Sequence, residues 1–267
     1  MSNLLREQEV KVALINWLYE NDHLNGATII NEMVVANWAR RADLTIANGK
    51  LHAFEIKSDF DSLKRLDGQL STFMARFEKV SVVCSTRFTD EIKNSVSSHV
   101  EVIEFESNDD NVCFKIVKKG KQNIIKDKTV FFDFLLKNEI KNLLNIHGID
   151  YKNTSSRDEM EFIASGLPLS TIREYTIETL KHRYLTTSSA YLNLLNKNKK
   201  VSIKHLDLLS KTKQRKSKQA VKKVSTKNLL SNENTYRVDT KKIAEKYGYS
   251  KSDIPKEVIK RTVSKEA

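Results

Sequence analysis

The sequence predicts an α/β fold, a mixed β-sheet flanked by helices and followed by an α-helical C-terminal region. Three observations predict it. Between Leu4 and Val117 the apolar residues switch from helical spacing to strand-like runs, back to helical spacing, and again to strands. A strong hairpin signal sits in the middle of that stretch, at Asn48-Gly49. From about Thr129 onward the character becomes helical.

The elements follow in order. From about Leu4 to Tyr19, Val10, Ala13, Leu14, Trp17 and Leu18 repeat at amphipathic-helix spacing, and Asn25-Gly26 ends the region as a turn. Thr28 to Val35 is rich in β-branched residues and reads as a strand whose only acid is Glu32. Two alternating runs, Asp43 to Ala47 and Leu51 to Lys57, then flank Asn48-Gly49. A two-residue loop sets Asp43 opposite Phe54 and mixes polar with apolar residues on each face. A three-residue loop through Lys50, with Gly49 left-handed, pairs Ala47 with Leu51, Ile46 with His52 and Leu44 with Phe54. A one-residue slip sends the apolar set to the wrong face, so the pattern selects the second register. Asp43 then lies opposite Glu55, with Lys57 two residues on and on the same side.

After the hairpin, Leu63, Leu66, Leu70, Phe73 and Phe77 form the buried stripe of a helix for which Ser58, Asp59 and Ser62 are possible N-caps. Val80 to Cys84, Val100 to Phe105 and Val112 to Val117 read as three further strands. Phe131 to Ile146, Pro168 to Tyr184 and Ser188 to Leu195 have helical spacing, and Pro168 suits a first helical turn. Thr240 to Tyr247 and Ile254 to Val263 are expected to be two short helices around Gly248, in the outline of a helix-turn-helix or as an ordinary helical pair.

Composition excludes several classes. Only 7 Gly and 2 Pro in 267 residues argue against a repeat-rich all-β protein or a long flexible linker. No apolar run approaches the roughly 18 residues needed to span a bilayer. Glu7, Glu9 and Asn16 interrupt the apolar positions that a signal peptide requires. Cys84 and Cys113 are too few and too far apart for a disulfide framework, and the expected location is cytoplasmic. The net charge of +12 is concentrated: between Lys197 and Lys227, twelve lysines and arginines stand against one acid, Asp207. A polyphosphate partner accounts for such a tract, because each neutralised phosphate releases condensed counterions. A solvated basic face is the alternative, and the lack of aromatics disfavours a membrane surface. The expected organisation is a core over residues 1–125, a helical region over 126–196 and a basic, partly helical nucleic-acid-binding region over 197–267. In the last of these, Lys213, Arg215, Lys216, Lys218, Lys222 and Lys223 are the candidate phosphate contacts.

Glu-x-Lys spacing occurs at Glu9, Glu91 and Glu139 as well as at Glu55. Only Glu55-Ile56-Lys57 falls on a strand whose opposite strand presents an aspartate. Two carboxylates facing each other across adjacent strands repel unless compensated, and a divalent cation compensates them. Phosphodiester hydrolysis needs such a site: hard oxygens that hold Mg²⁺ and leave positions for water and phosphate, beside a lysine that orients the nucleophile. The alternative is a charged strand face with a salt-bridge ladder.

The run Arg40-Arg41-Ala42-Asp43-Leu44, then Phe54-Glu55-Ile56-Lys57-Ser58-Asp59, then Leu63-Lys64-Arg65-Leu66 and Gln69, resembles the restriction-endonuclease-like PD-(D/E)xK nuclease superfamily, in particular a bacterial DNA-repair-associated subgroup. The resemblance covers about residues 1–105, with Ala42 standing where the family name has proline. It implies a restriction-endonuclease-like sheet, metal ligation by Asp43 and Glu55, Lys57 as catalytic lysine and Gln69 as a helix glutamine near the active site. An additional acid is implied at Glu9 or Glu32, with Glu32 the better match. Arg41 either binds phosphate or pairs with Glu32. The expected activity is a Mg²⁺- or Mn²⁺-dependent deoxyribonuclease acting on DNA. A catalytically silent nuclease-fold adaptor and an RNase in a toxin or phage-defence role are the rivals.

Overall fold

The computed structural model describes residues 4–35, 39–108 and 111–210, together with the backbone of two short strands at 235–237 and 257–259. The chain divides into two compact units, Met1–Lys211 and Thr212–Ala267. In the first, strands β1 (Thr28–Val35), β2 (Arg40–Ala47), β3 (Leu51–Lys57), β4 (Lys79–Ser85), β5 (Val100–Asn108) and β6 (Asn111–Lys118) lie side by side in chain order. β3, β4 and β5 run parallel to one another, and the remaining neighbours pair antiparallel. With helices on both faces, this is the mixed α/β sheet that the sequence predicts.

The central strand explains itself chemically. β4 has no exposed residue: Val80, Val82 and Cys84 join one core and Val83 the opposite one, the near-continuous apolar run of a strand covered on both sides. The hairpin adopts the predicted register, with Leu44 opposite Phe54, Ile46 opposite His52 and Ala47 opposite Leu51. Gly49 turns the loop at φ 64°, a left-handed conformation that glycine adopts without a Cβ clash.

Helix α1 (Glu7–Glu20) buries Val10, Leu14, Ile15 and Leu18 against Leu44, Ile46, Phe54 and Ile103. On the other face, α2 (Leu66–Met74) packs Leu66, Leu70 and Phe73 with Val80, Val82 and Val100. α2 begins later than the three possible caps suggest. Two of them are engaged in the preceding loop, Ser58 with Asp61 and Asp59 with Leu5 and Ser85. A short helix not read from the sequence, α3 (Thr89–Ser95), joins β4 to β5.

The helical region differs from expectation in its breaks. Phe131 to Ile146 is two helices, α4 (Lys128–Asp133) and α5 (Lys137–Ile146), because Leu136 is extended and Glu139 caps its N–H at 2.6 Å. After α6 (Arg157–Ala164), the two helices expected over 168–195 are one, α7 (Leu169–Asn198), of 30 residues. The hydroxyls of Thr187 and Ser188 look like a break, yet both are buried and bonded. Thr187 donates to the Tyr184 carbonyl at 3.0 Å, and Ser188 accepts from the Ile29 N–H of β1 at 2.9 Å. α7 thus contributes to three cores: Ile172 among the helices, Ile177 and Leu180 under α2, and Tyr191 and Leu195 beside α1.

In the second unit, β7 (Thr235–Arg237) and β8 (Glu257–Ile259) pair antiparallel. β8 corrects the helix expected over Ile254–Val263: Val258 and Ile259 are β-branched, and strand pairing decides a run too short for periodicity to settle. Thr240 to Tyr247 lies outside the described residues, as do Lys213, Arg215, Lys216, Lys218, Lys222 and Lys223. No described helix is long and apolar enough to cross a membrane.

Candidate active site

The β2–β3 ladder closes at Leu44 and Phe54, one residue short of Asp43 and Glu55. There the Asp43 side chain takes over from the backbone, its Oδ2 accepting the Ile56 N–H at 2.7 Å. Asp43 is thereby anchored to β3 at the residue after Glu55, one step beyond the last pair of the predicted register.

Glu55 and Lys57, two residues apart on β3, are buried at 2% and 4% exposure. Lys57 Nζ donates to Glu55 Oε1 at 2.8 Å and to Gln69 Oε1 at 3.0 Å. Gln69, from α2, donates its own Nε2 to Glu55 Oε1 at 2.5 Å. Glu55 Oε1 thus has two donors, while Oε2 is buried with no hydrogen-bond partner. A buried carboxylate oxygen in that state carries a desolvation penalty that a cation relieves.

Burial dominates the electrostatics of both carboxyls. Burial, then Glu55, then Glu7 push the Asp43 carboxyl up to about 8, against the lowering effects of the Ile56 N–H and Lys11. Burial also raises Glu55, opposed by Lys57 and Gln69.

These groups line a cavity of about 440 Å³ together with Glu7, Arg40, Arg41, Asp61 and Arg65. The sequence-predicted Asp43, Glu55, Lys57, Gln69 and Arg41 all meet there. Glu32 does not line it: its backbone is left-handed at φ 55°, and its carboxylate pairs with Arg41 at 3.1 Å and Lys11 at 3.8 Å. Arg41 therefore both borders the cavity and pairs with Glu32. Glu9 caps its own helix by accepting the Arg6 N–H at 2.7 Å. The further acids that line the cavity with Asp43 and Glu55 are Asp61, bonded to Ser58, and Glu7, held 3.1 Å from the buried Lys11; Glu7 acts on both carboxyls. One signal pointed to Glu7: a lysine inside an apolar helical stripe, four residues after a glutamate. Arg40, Asp61 and Arg65 also line the cavity without a local sequence pattern that marks them.

Among the described residues, no group of three or more His, Cys, Asp or Glu stands ready to hold a metal ion. Asp43 and Glu55 form a two-carboxylate site, the kind that suits Mg²⁺, which keeps several waters and takes its remaining ligands from phosphate. A separate cavity of about 340 Å³, bordered by Trp17, His52 and Glu101, contains none of the candidate residues.

Fold and site define a mixed α/β sheet protein with an Asp–Glu–Lys–Gln cluster where its central hairpin splays. The chain belongs to the family described as Bacteriophage P4 protein cII, which it matches over residues 1–210. Protein cII of Enterobacteria phage P4 is 54% identical over 263 residues, covering 98% of this chain and 100% of that one. Among solved structures, a protein of unknown function from Silicibacter pomeroyi aligns with 57% of this chain and 99% of its own, at 13% identity and a TM-score of 0.36.

Proposed function

We propose that the chain is a metal-dependent deoxyribonuclease hydrolysing phosphodiester bonds, with its site at Asp43, Glu55, Lys57, Gln69 and Glu7. The observation that carries this reading is the state of Glu55. One of its oxygens is held by Lys57 and Gln69, and the other is buried without a partner beside the anchored Asp43.

Asp43 and Glu55 would hold Mg²⁺ or Mn²⁺, which supplies Lewis acidity and lowers the pKa of a bound water. The chain's own groups do the rest. Asp43, fixed by the Ile56 N–H, keeps its orientation without substrate. Lys57, steered by Gln69, donates to the attacking water or to the phosphate oxygens as negative charge grows. Arg40, Arg41 and Arg65 line the cavity and neutralise phosphates beside the scissile one. Water forms the new P–O bond, the bond to the leaving ester oxygen breaks, and the products are a phosphate monoester and a hydroxyl. The basic tract from Lys197 to Lys227 adds contacts that are independent of sequence.

The test is a cleavage assay on plasmid, linear duplex, single-stranded DNA and RNA with Mg²⁺ or Mn²⁺. Wild type is compared with Asp43→Asn and Lys57→Ala. Metal-dependent DNA cutting abolished in both variants is the expected result. Cutting of RNA alone makes the chain an RNase, and binding without any cutting makes it an adaptor.

A further inference from the structure

Phe60 is 61% exposed, in the loop that leaves β3. Exposure here does not reflect a loose loop, because hydrogen bonds fasten the chain on both sides of the ring. On one side, the Asp59 carboxylate accepts from the Leu5 N–H at 2.9 Å and from the Ser85 hydroxyl, and the Asp59 carbonyl accepts from Arg87 at 2.6 Å. On the other, Asp61 accepts from the Ser58 N–H at 2.9 Å and from its hydroxyl at 2.5 Å. A large apolar side chain is thus held in water by a rigid mount.

Its neighbours say what it faces. The Arg6 guanidinium lies 5.4 Å from the ring centroid, a cation–π arrangement. Asp61, next to Phe60, and Glu7, next to Arg6, both line the candidate cavity. Phe60 and Arg6 do not line the cavity themselves, but each is the chain neighbour of a residue that does, and Arg40, Arg41 and Arg65 line the same cavity.

We infer that Phe60 and Arg6 form a stacking platform for an unpaired nucleobase of the strand whose phosphate enters the Asp43–Glu55 cavity. The substrate class is accordingly single-stranded or splayed DNA. A base inside a continuous duplex is covered on both faces by its neighbours, whereas an unpaired base offers a free π face to an aromatic ring or a guanidinium. These charged neighbours favour a polyanion bearing flat rings over an apolar protein partner. The inference rests on the phosphodiesterase reading for its phosphate, but its test does not require cutting.

That test uses the full chain in chelator, with a short oligodeoxythymidine and a blunt duplex of equal length. Phe60→Trp places a fluorophore beside Arg6, and its emission is expected to quench on titration with the single strand and not with the duplex. Phe60→Ala is expected to weaken single-strand binding roughly tenfold, within the range of one base–aromatic stack, and to leave duplex binding unchanged. Phe60 is exposed, so neither variant threatens folding. Emission that stays unchanged at saturating single strand overturns the platform, whatever the affinities do. Quenching by the single strand in a protein that cuts nothing retains the platform and rejects the nuclease. Cutting without quenching does the reverse.

Discussion

The Asp43 carboxylate accepts the Ile56 N–H at 2.7 Å, filling the place that the next rung of the β2–β3 ladder would take. A side chain thus substitutes for backbone where the strands part, and the parting leaves room for a cavity between Asp43 and Glu55. The same bond lowers the Asp43 pKa, yet burial and the neighbouring acids outweigh it and leave the carboxyl at about 8.

A stability profile follows with a definite sign. Asp43 is raised from 3.8 to about 8 in the folded protein, so between those values the folded state holds a proton that the unfolded chain releases. Stability of the metal-free protein should therefore fall as pH rises from about 4 to about 8. Glu55 is shifted the same way and adds to the fall. Urea midpoints in chelator should drop across this window, and Asp43→Asn should flatten the slope. Parallel profiles for wild type and variant would refute the assignment. Mg²⁺ should restore stability most at the alkaline end, where its binding displaces the least proton.

Gln69 tests whether Lys57 must be aimed. It contacts both Lys57 and Glu55, so Gln69→Ala leaves the lysine with one partner and Glu55 Oε1 with one donor. Turnover should fall roughly 10- to 100-fold, the usual effect of losing a group that orients a metal site. The melting temperature should change little, since Gln69 is only partly buried. A large loss of stability with normal turnover per folded molecule would make Gln69 a packing residue.

Much of this was legible in the chain itself, for physical reasons that also mark where legibility ends. A strand has period two, and a left-handed glycine suits a three-residue loop, so the hairpin register from Leu44 to Phe54 follows from local pattern alone and brings Asp43 and Glu55 to its open end. Glu55 and Lys57 come with that strand, whereas Gln69 is implied by the family resemblance and not by local pattern. Glu7 comes with neither, because the relation of α1 to the end of the sheet is tertiary, and its one local trace is a lysine, Lys11, four residues on in an apolar stripe. The placement of Glu32 outside the cavity is illegible for a related reason: its left-handed backbone and its pairing with Arg41 and Lys11 are invisible in a strand pattern. α7 ran through an apparent break because Ser188 found a partner 159 residues away.

Glu7 and Glu32 can be separated by metal binding. Glu7 lines the cavity and Glu32 does not, though both pair with Lys11. Glu7→Gln should weaken Mn²⁺ binding, measured by calorimetry, by roughly tenfold or more. Glu32→Gln should leave it unchanged and lose only the pairings with Arg41 and Lys11. The opposite ranking would return the third acid to Glu32.

The last prediction concerns how the helical region supports the site. Arg173 of α7 donates to Glu78 Oε1 at 2.8 Å and to the Gly49 carbonyl at the hairpin tip at 2.6 Å, while Glu78 Oε2 accepts the Leu51 N–H at 3.0 Å. Glu78 is 5% exposed, so Arg173→Ala strands a buried carboxylate. Breaking a fully buried pair costs about 3–5 kcal/mol; with the Arg173 side chain 33% exposed, about 2 kcal/mol is expected here by urea denaturation. Glu78→Gln keeps an acceptor for Leu51 without the charge, so Arg173→Ala should be milder in that background. A double-mutant cycle with strictly additive losses would mean that the two residues act independently. Coupling would mean that α7 clamps the hairpin tip, and through its register helps keep Asp43 beside Glu55.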